Sequence, residues 1–365
     1  MIMAGGTGGH VFPALALAHQ MRDDGWKVVW LGTAVGMEAR WVGARGFPME
    51  KVTMGGVRGK GVGRWLRAPF MLGLALGQSV AAILRQRPDL VVGFGGYVAL
   101  PGGMAAVLLR LPLIIHEQNA VAGLTNRILG RWAQRVFEGF PGAFNKPSAN
   151  GLAKYFGVPS QVDSVGNPVR VEIRNLPEPQ QRFSQREGSL RLLVLGGSQG
   201  AQALNRWIPQ ALALMGPEQR PQVVHQGGEK HWEQLQENYR EAGVTADLRT
   251  FIDDMASAYG NCDLVICRAG ALTVAELTAV GVGSVLIPFP AAVDDHQTEN
   301  ARFLEAGGAA RLWPQDQLDA QRLAQWLQAL TRPVLLTMAE AARQLYQGEA
   351  IPCLVQACEE LVDET

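Results

Sequence analysis

The sequence predicts an α/β protein that contains two parallel sheets in two domains. Short apolar runs alternate with helical stretches along the chain, and strands that alternate with helices form parallel sheets. The apolar residues before Gly5 and the run Leu192–Leu195 each lead into a glycine-rich turn and then a helical stretch, about 190 residues apart. A length of 365 residues, 47% of them hydrophobic, suits two domains with sizeable cores.

The first glycine turn runs from Gly5 to His10, and the pattern predicts a helix over Val11–Met21. Such a turn directs unpaired backbone N–H groups and the positive end of a helix dipole at one point, which suits a phosphate. His10 adds a side chain that can carry a proton near pH 7. The spacing is neither Gly-x-Gly-x-x-Gly nor Gly-x-x-x-x-Gly-Lys-Ser/Thr, so a turn without a ligand remains the alternative.

The two halves of the chain have opposite net charges. Residues 1–166 contain 17 Lys and Arg against 8 Asp and Glu, and the remainder contains 16 against 25, giving net charges of +9 and −9. The first half therefore favours an anionic partner, with a merely basic surface as the alternative. The four cysteines lack Cys-x-x-Cys spacing and are predicted to be free thiols. We expect no secretory signal, because the glycine turn begins at once, and no membrane span, because no apolar run reaches about 20 residues.

A second strand is predicted over Lys27–Leu31, and a loop rich in glycine and basic residues then precedes the apolar stretch Ala68–Leu84. This stretch is either a buried helix or a helix that lies in a membrane interface beside the basic residues. Further strands, Leu90–Val92 and Leu113–Ile115, end in the polar or glycine-rich segments 93–97 and 116–119. Because ligands bind at the carboxyl ends of strands in open α/β sheets, these ends predict a binding cleft.

In the second half, the strand Asp263–Cys267 is followed by a turn at Gly270 and a helix that we predict to start at Thr273. Its N–H groups suit a diphosphate, and Glu276 in its first turns is placed to accept two hydrogen bonds from a ribose diol. The alternative for Glu276 is simple complementation of the helix dipole, worth about 0.3–1 kcal/mol. The tail from Pro333 is predicted to be helical.

Taken together, six ordered motifs resemble the bacterial peptidoglycan N-acetylglucosaminyltransferases of glycosyltransferase family 28. The motifs are Gly5–His10, Gly93–Tyr97, His116–Asn119, Gly166–Arg170, Gly196–Gly200 and Arg268–Glu276. The resemblance covers essentially the whole chain and implies a GT-B fold, with two Rossmann-like domains facing across a cleft. Residues 1–166 would bind the acceptor and the membrane, residues 167–339 would bind the UDP-sugar, and a helix at about 340–365 would pack back on the first domain.

The resemblance also implies roles for particular residues. His10 and Glu117 would be catalytic, with either as the base, and Tyr97 would lie on the acceptor side. Glu276 would bind the ribose, and the backbone of Ile252 would bind the uracil. The full donor set that the resemblance implies is Thr7, Gly8, Gly9, Asn119, Arg170, Ser198, Ile252, Ala271, Leu272, Thr273, Val274, Ala275, Glu276 and Gln297.

The implied reaction moves N-acetylglucosamine, with inversion, from UDP-N-acetylglucosamine to undecaprenyl-pyrophosphoryl-N-acetylmuramoyl-pentapeptide. No Asp-x-Asp occurs in the chain, so we expect neither an active-site metal nor a cofactor, and Arg170 with backbone N–H groups would stabilise the leaving diphosphate. The implied location is peripheral, on the cytoplasmic face of the inner membrane. Its partners would be an anionic membrane surface, reached through Trp65–Leu84, and candidate cell-wall synthesis proteins.

Three other classes fit less of the sequence. A UDP-sugar epimerase would use the nucleotide site but no lipid acceptor. A two-lobed ligand-binding protein would share the cleft but should carry an export signal. A nucleic-acid binder would fit the basic half, but no motif of basic and stacking aromatic residues is evident, and we expect no nucleic-acid partner.

Overall fold

The computed structural model describes residues 1–54, 62–146, 157–197, 200–290, 292 and 295–364; for Met37 and residues 62–68 it describes the backbone alone. The chain divides into two compact units. Unit 1 contains Met1–Pro168 and Gln347–Thr365, and unit 2 contains Val169–Tyr346. The domain boundaries expected from the sequence lie at 166/167 and about 340.

Unit 1 is a parallel sheet with helices on its faces. Its strands are β1 (Ile2–Met3), β2 (Trp30–Gly32), β3 (Met49–Lys51), β4 (Val91–Gly93), β5 (Leu113–Glu117), β6 (Arg135–Glu138) and β7 (Asp163–Ser164). They are arranged β3-β2-β1-β4-β5-β6-β7, and each pair is parallel. The helices are α1 (Gly8–Asp23), α2 (Met37–Gly43), α3 (Val62–Gln86), α4 (Ala99–Leu108), α5 (Leu124–Leu129) and, from the tail, α15 (Ala350–Asp363).

The tail belongs to the core of unit 1. Leu354, Cys358 and Leu361 of α15 are buried together with Leu15 and Leu17 of α1. The predicted helix at 11–21 is confirmed and extends by three residues at its start and two at its end. Pro13 lies in its second turn, inside the helix.

Unit 2 repeats the plan with another parallel sheet. Its strands are β8 (Arg191–Leu195), β9 (Gln222–Gln226), β10 (Asp247–Arg249), β11 (Leu264–Cys267), β12 (Gly283–Leu286) and β13 (Ala310–Leu312), in the order β10-β9-β8-β11-β12-β13. Its helices are α6 (Val171–Arg174), α7 (Pro179–Phe183), α8 (Gln202–Ala213), α9 (Trp232–Ala242), α10 (Met255–Asn261), α11 (Ala271–Val280), α12 (His296–Ala306), α13 (Ala320–Gln328) and α14 (Arg332–Gln344). The predicted α/β class with two parallel sheets is therefore confirmed.

The buried strands explain why the sequence reads as short apolar runs. All four residues of β11 are buried, as are the last four of β8, because helices cover both faces of a parallel sheet. All four cysteines are free thiols, as predicted. No helix in the described part of the chain is long and apolar enough to cross a bilayer.

Candidate functional site

In unit 1, two of the predicted glycine turns pack directly against each other. The first follows β1 and the second follows β4, its neighbour in the sheet. Gly96 has φ +82°, and a Cβ at this position would lie 2.1 Å from the carbonyl oxygen of Gly5. A side chain at Gly96 is therefore excluded by both the backbone conformation and the approach of the first turn.

The first turn ends in the N-terminus of α1. Thr7 is the N-cap, with extended backbone, and no acidic side chain lies in the first helical turn. Thr7 and Gly9 are exposed, and Gly8 is partly exposed. The first N–H groups of a helix have no partners within the helix and carry its positive end charge, so this surface is suited to an anionic group.

His10 lies at the exit of this turn and is half-buried. Its Nδ1 atom is 3.2 Å from the Thr7 hydroxyl oxygen. When Nδ1 carries the proton, it donates to Thr7 and the lone pair lies on Nε2, which is the tautomer that a general base needs. A Cβ on Gly95 would lie 3.3 Å from His10 Cδ2 and 3.2 Å from Asn126 Nδ2, so the ring lies beside the second glycine turn and α5.

Glu117 ends β5 and is 2% exposed. Its Oε1 accepts hydrogen bonds from the backbone and side-chain amides of Asn119, at 2.9 and 3.2 Å. Its Oε2 accepts from the Gly123 amide at 3.0 Å and from Asn126 Nδ2 at 2.9 Å. With four donors on its two oxygens, this buried carboxylate is suited to holding the loop that carries Asn119.

The neighbouring His116 is fully buried. Its Nε2 donates to the Gly166 carbonyl oxygen at 2.9 Å, and its Nδ1 accepts from Gln118 Nε2 at 3.0 Å. Burial lowers the pKa of His116 to about 4, so the ring is neutral near pH 7. Asn167 donates to the Gln118 carbonyl oxygen at 2.9 Å, so His116 and Asn167 together attach the segment around Gly166 to the end of β5.

Tyr97 is half-buried, and its phenol lies close enough to the side chains of Thr33 and Glu38 for both to influence it. Burial raises the pKa of the Tyr97 phenol. Glu38 is a site residue that the sequence reasoning missed, because a single glutamate among small and apolar residues carries no spacing signal. It is fully buried and also accepts a hydrogen bond from the Gly6 amide at 3.3 Å.

In unit 2, the described glycines after β8 also include positions that require glycine. Gly200 has φ +74°, and a Cβ at this position would lie 2.5 Å from the Gly227 carbonyl oxygen, so only glycine fits. The turn leads into α8, whose N-cap is Ala201. The predicted donor residue Ser198 lies outside the described residues.

The helix predicted to start at Thr273 starts at Ala271 instead. Gly270 is the N-cap with extended backbone, and such local conformation is not visible in the residue pattern. Consequently, Glu276 is the sixth helical residue, and Leu272 and Thr273 lie in the first turn. The Ala271, Val274 and Ala275 side chains are buried, whereas those of Leu272, Thr273 and Glu276 are partly exposed.

The structure brings together two predicted donor residues, Arg170 and Glu276. Arg170 Nη2 donates to Glu276 Oε1 at 3.0 Å, and the Tyr259 hydroxyl donates to Glu276 Oε2 at 3.0 Å. The Glu276 side chain is 18% exposed and that of Arg170 is 51% exposed. Burial raises the pKa of Glu276, while Arg170 and Tyr259 oppose the rise. The fully buried Tyr259 is a second residue that the sequence reasoning missed.

Two further predicted donor residues of unit 2 are Ile252 and Gln297. Ile252 is 4% exposed and precedes α10, the helix that carries Tyr259. Gln297 Oε1 accepts from the Phe289 amide at 2.9 Å. Gln297 is on α12, as is the buried Asn300. Asn300 donates to the Ala269 carbonyl oxygen at 3.1 Å and so attaches α12 to the segment before α11.

Among the described residues, no group of three or more His, Cys, Asp or Glu side chains is arranged to hold a metal ion. Within each unit, the candidate residues gather at the carboxyl ends of strands, where helix N-termini supply backbone donors. In unit 1 these residues include a histidine at the start of α1, and in unit 2 they include a carboxylate paired with an arginine.

The chain is similar to known glycosyltransferases over both units. The glycosyltransferase family 28 N-terminal domain matches residues 1–138, and the glycosyltransferase family 28 C-terminal domain matches residues 191–351. A crystal structure of Acinetobacter baumannii MurG is 42% identical, with TM-score 0.86 over 99% of both chains. The fold is therefore GT-B, as expected from the sequence. Anabaena HepE in complex with UDP and glucose, 16% identical with TM-score 0.59, covers 99% of this chain and 98% of its own and shares the fold alone.

Relatives with curated names are closer in sequence. The UDP-N-acetylglucosamine–N-acetylmuramyl-(pentapeptide) pyrophosphoryl-undecaprenol N-acetylglucosamine transferase of Nitrosomonas europaea is 52% identical over 100% of this chain and 99% of its own length. The enzyme of that name from Burkholderia pseudomallei is 51% identical over 98% of this chain and 95% of its own length. The chain therefore belongs to glycosyltransferase family 28, among the UDP-N-acetylglucosamine-dependent transferases of peptidoglycan synthesis.

Proposed function

We propose that the protein transfers N-acetylglucosamine from UDP-N-acetylglucosamine to the sugar hydroxyl of undecaprenyl-pyrophosphoryl-N-acetylmuramoyl-pentapeptide, with inversion. The product is the lipid-linked disaccharide precursor of peptidoglycan. The observation that carries the proposal is the Arg170–Glu276–Tyr259 group in a chain that is 52% identical to a named transferase.

Unit 2 is the proposed donor unit. A carboxylate has lone pairs for about four hydrogen bonds, and Glu276 uses two of them on Arg170 and Tyr259, which leaves capacity for a ribose diol. Beside it, the N-terminus of α11 offers backbone N–H groups to the diphosphate, and Arg170 adds a positive charge as UDP departs. The uracil would be bound by the backbone of Ile252. Thr7, Gly8, Gly9, Asn119, Ser198 and Gln297 complete the donor set that we propose.

Unit 1 is the proposed acceptor unit. His10 Nε2 takes the proton of the acceptor hydroxyl as its oxygen bonds to the anomeric carbon. The bond from that carbon to the diphosphate oxygen breaks, and its electron pair leaves with UDP. A positioned base contributes typically about 10²–10⁴-fold. Because the four hydrogen bonds to Glu117 keep it inside its loop, we assign it to holding Asn119 and assign proton transfer to His10.

We also propose that α3 binds the membrane surface that holds the lipid acceptor. Phe70 and Leu74 are 75% and 41% exposed, and Gly77, Ala81 and Leu84 continue the same exposed face at helical spacing. The opposite face packs in the core through Ala82 and Ile83. A helix with an exposed apolar face beside basic residues is suited to a membrane interface. Arg58 and Lys60 lie outside the described residues, as do the side chains of Trp65, Arg64 and Arg67.

A charge introduced on the exposed face of α3 tests whether that face binds a membrane or only contributes to packing. Leu74→Glu should reduce co-sedimentation with anionic vesicles while leaving the melting temperature nearly unchanged, and Leu214→Glu, at an exposed leucine of unit 2, should change neither. Leu72, on the same helix, is half-buried, so a charge there would not separate the two effects as well. A second variant replaces Arg58, Lys60, Arg64 and Arg67 with alanine. Normal vesicle binding by both this variant and Leu74→Glu would contradict the proposal.

The activity itself is tested by radiolabelled transfer. Label from UDP-N-acetylglucosamine should appear in the lipid-linked acceptor, and with buffer in place of protein it should not. A UDP-sugar epimerase would instead convert the donor sugar without any acceptor. Release of altered sugar nucleotide and no labelled lipid would overturn the proposal.

A further inference from the structure

Glu38 of α2 is a buried carboxylate with an unusual set of partners. It is 0% exposed, and its Oε1 accepts from the Thr33 amide at 3.2 Å and the Thr33 hydroxyl at 2.6 Å. Its Oε2 accepts from the Gly6 amide at 3.3 Å, and the Tyr97 phenol lies nearby. Among the described residues, no lysine or arginine forms an ion pair with it. A buried charge without a counter-ion persists only where several donors replace its water.

The donors come from the loops after three neighbouring strands. Gly6 follows β1, Thr33 follows β2 and Tyr97 follows β4. The local backbone leaves room for the carboxylate, because a Cβ on Gly36 would lie 2.2 Å from each of its oxygens and one on Gly5 would lie 3.1 Å from Oε1. One side chain therefore contacts the loops that follow three neighbouring strands, at the carboxyl ends of those strands where α1 begins.

We propose that Glu38 is a positioning residue for the transfer step. By binding the Gly6 amide, it fixes the turn in which Gly6 has φ +99°, and this turn sets where Thr7 caps α1 and where His10 lies. The inference rests on the proposed function, because Glu38 would position His10, the base that we propose. Glu38 touches neither substrate and acts through the turn alone.

The geometry predicts which replacement is informative. In Glu38→Gln, the side-chain oxygen can accept from Thr33 or from Gly6, but the amide nitrogen must then face the other N–H group. The Thr33 end has two donors, so the amide nitrogen should turn toward Gly6 and place two donors against each other. This change should release the first glycine turn while keeping the volume of the side chain.

Glu138 provides a matched control in the same unit. It is 4% exposed, and it accepts from the Gly142 amide at 2.6 Å, the Ala143 amide at 2.9 Å and the Ser164 hydroxyl at 2.7 Å. It is therefore also a buried carboxylate that organises backbone amides, at the end of β6. Glu38→Gln and Glu138→Gln should both cost stability, so lost melting temperature alone does not distinguish a specific role for Glu38.

The test measures transfer and the histidine ring together, well below both melting temperatures. Glu38→Gln should lower kcat about 10- to 100-fold, as expected for a base displaced by about 1 Å, and Glu138→Gln should leave it within about twofold. In spectra of ¹³C-histidine-labelled full-length protein, with the His10 signal assigned from His10→Ala, Glu38→Gln should shift the His10 ring signals and Glu138→Gln should not.

Three results would overturn the inference. These are equal losses of kcat in the two variants, an unshifted His10 signal in folded Glu38→Gln, or unchanged kcat in that variant. If Glu38→Gln does not fold, Thr33→Val serves in its place. It removes the hydroxyl that donates to Oε1 and accepts from the Gly36 amide but keeps the Thr33 backbone donor, so it should give a smaller shift and loss. If the unmodified protein shows no transfer, the proposed function fails, and the His10 signal still reports whether Glu38 positions the turn.

Discussion

The two units each contain a glutamate near a helix N-terminus, and the two carboxylates differ in exposure and in their partners. Glu38 in unit 1 is 0% exposed, and its partners among the described residues are amides and hydroxyls. Glu276 in unit 2 keeps 18% of its side chain exposed and is held by the guanidinium of Arg170 and the phenol of Tyr259. Among the described residues, Glu38 accepts hydrogen bonds from two amides and one hydroxyl, whereas Glu276 accepts two hydrogen bonds and retains lone pairs at a surface.

The difference separates a residue that organises a site from one that binds a ligand. A carboxylate with no exposure can act only through the groups that it holds. A carboxylate with exposed capacity, and with a cation fixing its direction, can accept further hydrogen bonds from hydroxyl groups. We therefore expect replacement of Glu276 to change mainly UDP affinity and replacement of Glu38 to change mainly the rate of transfer.

The largest effect is expected for Glu276→Ala. Two hydrogen bonds to a charged group are lost, at about 1.5–3 kcal/mol each, so UDP affinity should fall at least about 100-fold. Isothermal titration of UDP measures this change. Glu172→Ala, at an exposed glutamate of the same unit, is the matched control and should bind UDP normally. Unchanged UDP affinity in folded Glu276→Ala would show that the carboxylate does not bind the ribose.

His10→Ala should lower kcat at least about tenfold and leave UDP affinity nearly unchanged, because the lost group acts on the acceptor proton. Initial rates at saturating donor and acceptor measure this effect. His19→Ala, on the same helix, should retain normal rates because its ring packs on Phe47 at 5.1 Å rather than on the turn. A near-native kcat in His10→Ala would remove His10 from the mechanism and make Glu117 the candidate base.

A smaller effect is expected for Tyr259→Phe. The variant keeps the ring and removes the one hydroxyl that donates to Glu276 Oε2, so UDP affinity should fall about 3- to 10-fold with kcat unchanged. Tyr239→Phe is the control, because its buried hydroxyl lies 3.0 Å from His225 Nδ1 and not near Glu276. Equal effects of the two replacements on UDP affinity would indicate loss of packing rather than loss of the contact with Glu276.

No effect is expected from chelation. The leaving diphosphate is assigned to backbone N–H groups and Arg170, so transfer to a soluble acceptor analogue should proceed at the same rate in excess EDTA. The soluble acceptor removes effects of divalent cations on membranes. Loss of transfer with chelator, and recovery with Mg²⁺, would show that a metal ion takes part.

The sequence predicts the fold and the glycine turns because their signals are local. Glycine, proline and apolar residues at fixed spacing determine a strand, a turn and a helix start within about 20 residues, as in Gly5–Met21. The start of α11 was misplaced by two residues, since the extended backbone of Gly270 is not visible in composition.

Glu38 and Tyr259 could not be predicted, because their significance depends on distant parts of the chain. The partners of Glu38 include loops after β1 and β4, and the partner of Tyr259 is on another helix. Neither residue lies in one of the six motifs that carry the family resemblance. In contrast, Arg170 and Glu276 were both proposed for the donor site from family motifs, and their contact appears only in the folded unit.

The most direct test of this account is calorimetric titration of UDP into Glu38→Gln and Glu276→Gln at one pH and salt concentration. Both replacements are isosteric and remove one negative charge beside a helix N-terminus. The account predicts that Glu276→Gln binds UDP at least about 30-fold more weakly, whereas Glu38→Gln stays within about threefold of the unmodified protein. Equal weakening in the two variants, or a greater loss in Glu38→Gln, would contradict the division between a ligand-binding and an organising carboxylate.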